Sequence, residues 1–106
     1  MTQKNFYVTT PIYYVNAEPH LGGAYTTIAA DVFARWNRIK ENKVFFLTGT
    51  DEHGQKIQET AEKQNKKPQQ FVDNITEKWQ EVFKILNISN DFFIRTTNKE
   101  HEKEVK

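Results

Sequence analysis

Residues 43–54 read Lys-Val-Phe-Phe-Leu-Thr-Gly-Thr-Asp-Glu-His-Gly, an apolar run that passes abruptly into polar residues. A short run of aromatic and β-branched residues that ends at a glycine predicts a buried β-strand over 43–48. Ligands of open α/β sheets bind beyond the carboxyl ends of the strands. The polar loop over 49–54 is therefore the first candidate for a binding site.

A second strand with a polar loop at its end lies upstream. Residues 6–10 are aromatic and β-branched, and the run stops at Pro11. Their nearly continuous apolar character predicts a parallel strand that is buried on both faces. Because neighbouring parallel strands end at the same edge of a sheet, we expect the loop over 11–23 to converge with the loop over 49–54.

The helical periodicities fill the intervals between these strands. Apolar residues at three- and four-residue steps predict an amphipathic helix from Leu21 to about Lys40. We expect this helix to bury its apolar stripe, which consists of Leu21, Tyr25, Ile28, Val32, Trp36 and Ile39. A polar helix is predicted over 55–64, and Pro68 suits the first position of a third helix. The core face of the third helix is expected to carry Phe71, Ile75, Trp79, Val82 and Leu86.

The last part of the chain completes an alternating pattern. Residues 91–96 predict a third strand, and Thr97 with Glu100 matches a capping box that opens a final helix. The order strand, helix, strand, helix, helix, strand, helix predicts an α/β fold with a parallel sheet and flanking helices. The final helix is short and has no apolar stripe, which suggests a piece of a longer protein.

Composition excludes several classes of function. The chain has 106 residues, with 15 Lys and Arg against 14 Asp and Glu, so it lacks the basic footprint of an autonomous nucleic-acid binder. The absence of cysteine excludes a disulfide framework and a cysteine-based zinc site, and no zinc ligands are expected. No membrane-spanning run or secretory signal is visible, so we expect a cytoplasmic location and no membrane partner.

The junction of the first strand and the long helix reads Pro-His-Leu-Gly-Gly at residues 19–23. A helix start offers unpaired N–H groups and the positive end of the macrodipole, and glycines let a ligand approach the backbone. His20 is therefore predicted to donate a hydrogen bond to a phosphate, with Gly22 and Gly23 admitting the nucleotide. The alternative for the glycines is a tight turn between strand and helix.

The second loop offers a carboxylate with two possible roles. Asp51 follows a buried strand and suits either an ammonium group of a ligand or the N-cap of the next helix. His53 is expected to close the turn before Gly54. Fingerprints of nicotinamide enzymes and P-loop ATPases, G-x-G-x-x-G and G-x-x-x-x-G-K-[ST], are absent, which argues against both classes.

Three blocks carry a resemblance to a known family. The first reads Tyr-Val-Thr-Thr-Pro-Ile-Tyr-Tyr-Val-Asn at 7–16 and continues as Pro-His-Leu-Gly-Gly-Ala-Tyr-Thr-Thr at 19–27. The second reads Phe-Leu-Thr-Gly-Thr-Asp-Glu-His-Gly-Gln at 46–55. Asn-Ile-Ser-Asn-Asp at 87–91, with Arg-Thr-Thr at 95–97, extends the match. Together they resemble the methionyl-tRNA synthetases, a family of class I aminoacyl-tRNA synthetases.

The resemblance implies a Rossmann-type catalytic domain, of which residues 1–106 would be the N-terminal part. It implies activation of methionine with ATP, accompanied by Mg²⁺, and transfer to methionine tRNA. The catalytic signature would be His20, Gly22 and Gly23; Asn16 would join these residues in binding ATP; and Ile12, Tyr14 and Asp51 would bind methionine. Tyr14 and Ile12 alone, judged by composition, would be ordinary core, and Asn16 a turn residue.

Two departures from the family pattern set the alternatives. Gly23 stands where the signature has its second histidine, and losing one transition-state donor typically costs on the order of 10²–10³ in rate. By the same resemblance, the second half of the sheet, the connective insertion, the Lys-Met-Ser-Lys-Ser loop and the anticodon domain are expected to lie outside these 106 residues. We therefore expect that the remaining part of the synthetase is needed. The alternatives are a non-catalytic or split-subunit module and a related nucleotidyltransferase with another substrate.

Overall fold

The computed structural model describes residues 2–106. Four strands and four helices follow one another in the order β1, β2, α1, β3, α2, α3, β4, α4. The strands are β1 (Asn5–Thr9), β2 (Tyr13–Tyr14), β3 (Lys43–Asp51) and β4 (Phe92–Arg95). The helices are α1 (Leu21–Ile39), α2 (Gln55–Lys63), α3 (Pro68–Ile85) and α4 (Lys99–Val105). The predicted α/β class is confirmed.

All strands run parallel around β3. The first half of β3 pairs with β1, from Asn5 opposite Lys43 to Thr9 opposite Leu47. Beyond that point β2 takes the same flank, and β4 pairs on the other flank. Strand β2, predicted to be part of a loop, therefore continues the edge that β1 begins. Its pairing joins the two polar loops, so their predicted convergence is confirmed.

Helices α1 and α3 pack against one face of this sheet. Ala30 and Ala34 of α1 form one apolar cluster with Phe46 of β3. A larger cluster holds Trp79 and Phe83 of α3 together with six further buried residues: Val15, Ile57, Ala61, Phe71, Val72 and Ile75. The chain is consequently flat, with extents of 57 × 33 × 16 Å.

The apolar stripe of α1 faces solvent, so the prediction that it is core is wrong. Trp36 is 57% exposed and Leu21 is 84% exposed. The helix buries small and polar residues instead: Gly23, Thr27, Ala30, Asp31, Ala34 and Asn37. Small residues let the helix lie close to β3, which turns the large side chains outward. The α3 stripe fares better, since Phe71, Ile75 and Trp79 are buried, although Leu86 is 37% exposed.

The sheet face opposite α1 and α3 is exposed to solvent. Strand β1 is therefore not buried on both faces, and that prediction is wrong. Tyr7 lies opposite Phe45, and their rings are 5.9 Å apart. The two side chains are 59% and 47% exposed. By strand alternation, Leu47, Gly49 and Asp51 continue the Phe45 face toward the carboxyl edge. Helices cover one side of β3 and leave this side free.

The predicted capping box is wrong. Helix α4 begins after Asn98, and no side chain caps its N-terminus. The Thr97 hydroxyl donates instead to the carboxylate of Glu52, 3.3 Å away. A tertiary partner has replaced the local one. Within residues 2–106 no helix combines the length and apolarity needed to cross a membrane.

Candidate active site

His20 forms the N-cap of α1. Its backbone is extended, and its Nδ1 accepts a hydrogen bond from the Gly23 N–H at 3.4 Å. An Nδ1 that accepts leaves the proton of the neutral ring on Nε2. The exposed His20 ring therefore keeps one donor free, beside the positive end of a 19-residue helix. This is the geometry that the predicted phosphate contact requires.

The two glycines of the motif differ in their surroundings. A Cβ placed on exposed Gly22 would lie 3.1 Å from Nδ1 and Cε1 of His20. Gly23 is buried, and a Cβ there would lie 2.3 Å from Cη2 of the Trp79 ring. Gly22 thus keeps the space beside the His20 ring open. Gly23 brings the helix start close to α3, a packing role that no local sequence pattern predicts.

Asp51 and Tyr14 lie side by side on neighbouring strands at the carboxyl edge of the sheet. They are register partners in the β2–β3 pairing, and the Val15 N–H donates to the Asp51 carbonyl at 3.4 Å. The Asp51 carboxylate has no hydrogen-bond or ion-pair partner within residues 2–106. Helix α2 takes Gly54 as its N-cap, which removes the alternative capping role of Asp51. A half-buried, unpaired carboxylate is free to receive a cationic ligand group.

The next residue, Glu52, is buried and paired, in contrast to Asp51. Its side chain is fully buried and accepts from Thr50, Thr97 and Arg95. Arg95 donates from both Nε, at 2.9 Å, and Nη2, at 2.5 Å, and also reaches Asp73 of α3 at 2.5 Å. Hydrogen bonds that Arg95 donates to Glu52 raise the pKa of Arg95, and the hydrogen bond from Arg95 lowers the pKa of Asp73. We call this group of Glu52, Arg95 and Asp73 the Glu52–Arg95 cluster. No sequence pattern predicted it, and it fixes the loop that carries Asp51.

Tyr14 is positioned by Gly54. Gly54 has a φ of 146°, a conformation that side-chain-bearing residues rarely adopt. A Cβ at this position would lie 2.1 Å from the Tyr14 hydroxyl oxygen. His53 lies in the same turn, and its Nε2 is 3.2 Å from the carbonyl of Thr96, just after β4. That its side chain closes the turn before Gly54 stays a prediction.

Ile12 and Asn16, which were predicted to bind methionine and ATP, lie on either side of β2. Ile12, before β2, is 39% exposed, and alternation places it on the Tyr14 side of the chain. Asn16 lines a cleft of about 390 Å³ between the following loop and α3. Glu18 pairs with Lys78 at this cleft, and His20 is not among its lining residues. The cleft thus brings Asn16 beside α3, and its expected contact with ATP stays a prediction.

No metal centre is formed by residues 2–106, where no three His, Asp or Glu side chains come together as a ligand group. Magnesium prefers one or two carboxylates together with substrate phosphates. The Mg²⁺ expected with ATP would therefore not require a three-residue protein centre.

Comparison with known proteins decides the family. The sequence model described as tRNA synthetases class I (M) matches residues 6–106. The chain belongs to this family. The methionine–tRNA ligase of Thermotoga maritima is 58% identical over 100 residues, covering 94% of this chain and 16% of that protein. The corresponding ligase of Bacillus subtilis is 55% identical over 104 residues, again 16% of its length.

A solved structure agrees with the family assignment of this class I synthetase chain. Mycobacterium tuberculosis methionyl-tRNA synthetase in complex with methionyl-adenylate superposes with a TM-score of 0.93 at 44% identity. The match covers 95% of this chain and 20% of that structure. The chain thus spans about a fifth or less of the proteins it matches.

Proposed function

We propose that this chain supplies part of the site at which a class I synthetase activates methionine with ATP. The observation that carries the proposal is the unpaired carboxylate of Asp51, held opposite Tyr14 at the carboxyl edge of the sheet. An α-ammonium group would supply the partner that this carboxylate lacks. The apolar side chains of Ile12 and Tyr14 would then face the thioether, which suits polarizable surroundings.

ATP is proposed to bind on the other side of the same edge. His20 would donate from Nε2 to a phosphate, and Gly22 would let the phosphate approach the start of α1. The methionine carboxylate attacks the α-phosphorus in line, and pyrophosphate leaves. This chain's residues orient the reactants and offer donors to the developing charge, which is what such a step demands. Asn16, from the loop between β2 and α1, is proposed to contribute to ATP binding.

The remaining part of a synthetase is the proposed partner. In the Rossmann strand order 3-2-1-4-5-6, the second half of the sheet pairs with the free edge of the first strand. Here β4, β3 and β1 stand in the order 3-2-1, and within residues 2–106 β1 pairs only with β3. The uncovered face that holds Tyr7 and Phe45 adjoins this free edge. Residues 1–106 are accordingly proposed to be the N-terminal part of the catalytic domain.

The proposed acceptor is methionine tRNA, bound mainly through parts beyond this segment. A net charge of +1 gives the chain little attraction of its own for a polyanion. The cytoplasm is the proposed location because tRNA charging takes place there.

The test is methionine-dependent ATP–pyrophosphate exchange by a full-length chimera, in which this chain replaces the matching segment of the Thermotoga maritima ligase. We expect exchange in the parent chimera and at least a 100-fold loss in Asp51→Asn, since positioning of one reactant is removed. Glu62→Gln, on the exposed side of α2, is the matched control and should retain full exchange. Exchange that survives Asp51→Asn would exclude the assigned role.

Absence of exchange in the parent chimera would instead favour a non-catalytic module. The open β1 edge and the exposed α1 stripe supply the surface for that alternative. Exchange with another substrate in place of methionine would favour the wider nucleotidyltransferase class.

A further inference from the structure

Trp79 of α3 lies outside every motif of the proposed site, yet it contacts both halves of it. We propose that Trp79 is a positioning residue for the nucleotide and methionine half-sites, and that its ring is the reason why position 23 is glycine. This inference rests on the proposed function. Trp79 is the largest fully buried side chain among residues 2–106, with 1% of its surface exposed.

On the nucleotide side, the outer edge of the indole ring meets the start of α1. A Cβ built on Gly23 would lie 2.3 Å from Cη2 and 2.9 Å from Cζ3 of Trp79. Real Cβ atoms do not approach other atoms so closely, so a side chain at position 23 must displace the ring or the helix start. The His20 ring stands edge-on to the indole at 6.4 Å. Displacement of either element therefore moves the His20 donor.

On the methionine side, the same ring supports β2. Tyr13 stacks on Trp79 with ring centroids 4.5 Å apart and planes inclined by 7°. The Tyr13 hydroxyl forms a hydrogen bond with Thr27 of α1, at 2.7 Å. Tyr13 directly precedes Tyr14, which lies opposite Asp51. One side chain thus sets the spacing between the His20 cap and the Tyr14–Asp51 pair.

A second observation argues against simple core filling. The Nε1 of Trp79 is buried and has no hydrogen-bond partner within residues 2–106. A buried N–H without a partner is destabilising, and phenylalanine would fill apolar space without that penalty. The contact with Gly23 explains why position 79 holds tryptophan, because the atoms nearest to Gly23 belong to the outer edge of the indole, which phenylalanine lacks.

The experiment uses the full-length chimera and separate KM values for ATP and methionine in pyrophosphate exchange. Gly23→Ala should lower kcat/KM about 10- to 100-fold, because an ångström of misplacement costs on that order. Trp79→Phe, which lacks the outer edge, should raise both KM values. In the Trp79→Phe background, Gly23→Ala should cost less than about 3-fold, since the atoms that it strikes are gone.

The control is Val72→Ala, a core truncation on α3 away from Gly23. It should lower thermal stability and leave both KM values unchanged. If Trp79→Phe behaves like Val72→Ala, or if the Gly23→Ala and Trp79→Phe effects simply multiply, the inference is overturned while the proposed function stands. A parent chimera without methionine-dependent exchange would overturn the proposed function and this inference with it.

Discussion

Replacing Glu52 by glutamine should destabilise the chain strongly, although the two side chains have the same shape. The Glu52 carboxylate is fully buried and accepts three hydrogen bonds from the guanidinium of Arg95, at 2.5, 2.9 and 3.2 Å. Glutamine retains one acceptor oxygen but turns an NH₂ group toward donors. Breaking a buried ion pair costs about 3–5 kcal/mol. Because Arg95 is 25% exposed and retains Asp73, we expect the lower end, about 3 kcal/mol.

The assay is urea unfolding followed by circular dichroism at neutral pH. A loss of this size should lower the midpoint by about 1–3 M, given urea m-values of about 1–3 kcal/mol/M. Thr97→Val removes one outer hydrogen bond of the same carboxylate and should cost about 1 kcal/mol. Exposed Glu77→Gln on α3 is the control and should stay within about 0.5 kcal/mol. An unfolding midpoint of Glu52→Gln equal to that of Glu77→Gln would refute the stabilising role of the Glu52–Arg95 cluster.

Three further predictions concern other parts of the molecule. Burial alone would raise the pKa of Asp31, but hydrogen bonds from Ser89 and Arg35 lower it overall. Because the pKa in the folded state is then below that in the unfolded state, Asp31 contributes stability above about pH 4, and this contribution is lost as the pH falls. Asp31→Asn should reduce this loss in unfolding titrations between pH 2 and 6, and an unchanged pH slope would contradict the prediction. Gly54→Ala should destabilise through its φ of 146° and its contact with the Tyr14 hydroxyl; Tyr14→Phe should relieve only the contact, which a double-mutant cycle measures. Trp36→Gln should change the unfolding free energy by less than about 0.5 kcal/mol, whereas Trp79→Leu should cost about 3 kcal/mol; equal losses would show that the α1 stripe is core.

Periodicity sufficed for the order of elements because each long helix and strand carries its own pattern. It failed for α1, since a pattern tells which face is apolar but not which face another element covers. The Ala30 and Ala34 side of the helix packs on β3, and the Trp36 side stays open. Strand β2 escaped prediction because two residues are too few to show alternation.

The candidate site shows a similar division. His20 at a helix start and Asp51 at a strand end are positions that local sequence indicates. The different fates of Asp51 and Glu52 depend on Arg95, which lies 43 residues beyond Glu52 in the chain. The contact between Gly23 and Trp79 likewise joins distant segments, so no local signal could reveal it.

The most direct test of the account is the recognition of the methionine ammonium group by Asp51. In the full-length chimera, the binding of methioninol, which keeps the ammonium, and of 4-(methylthio)butanoate, which lacks it, can be compared by isothermal titration calorimetry, which needs no residual exchange. We expect methioninol to bind the parent far more tightly than it binds Asp51→Asn, while the weak binding of 4-(methylthio)butanoate is the same in both. Equal affinity of parent and variant for methioninol would contradict the central claim.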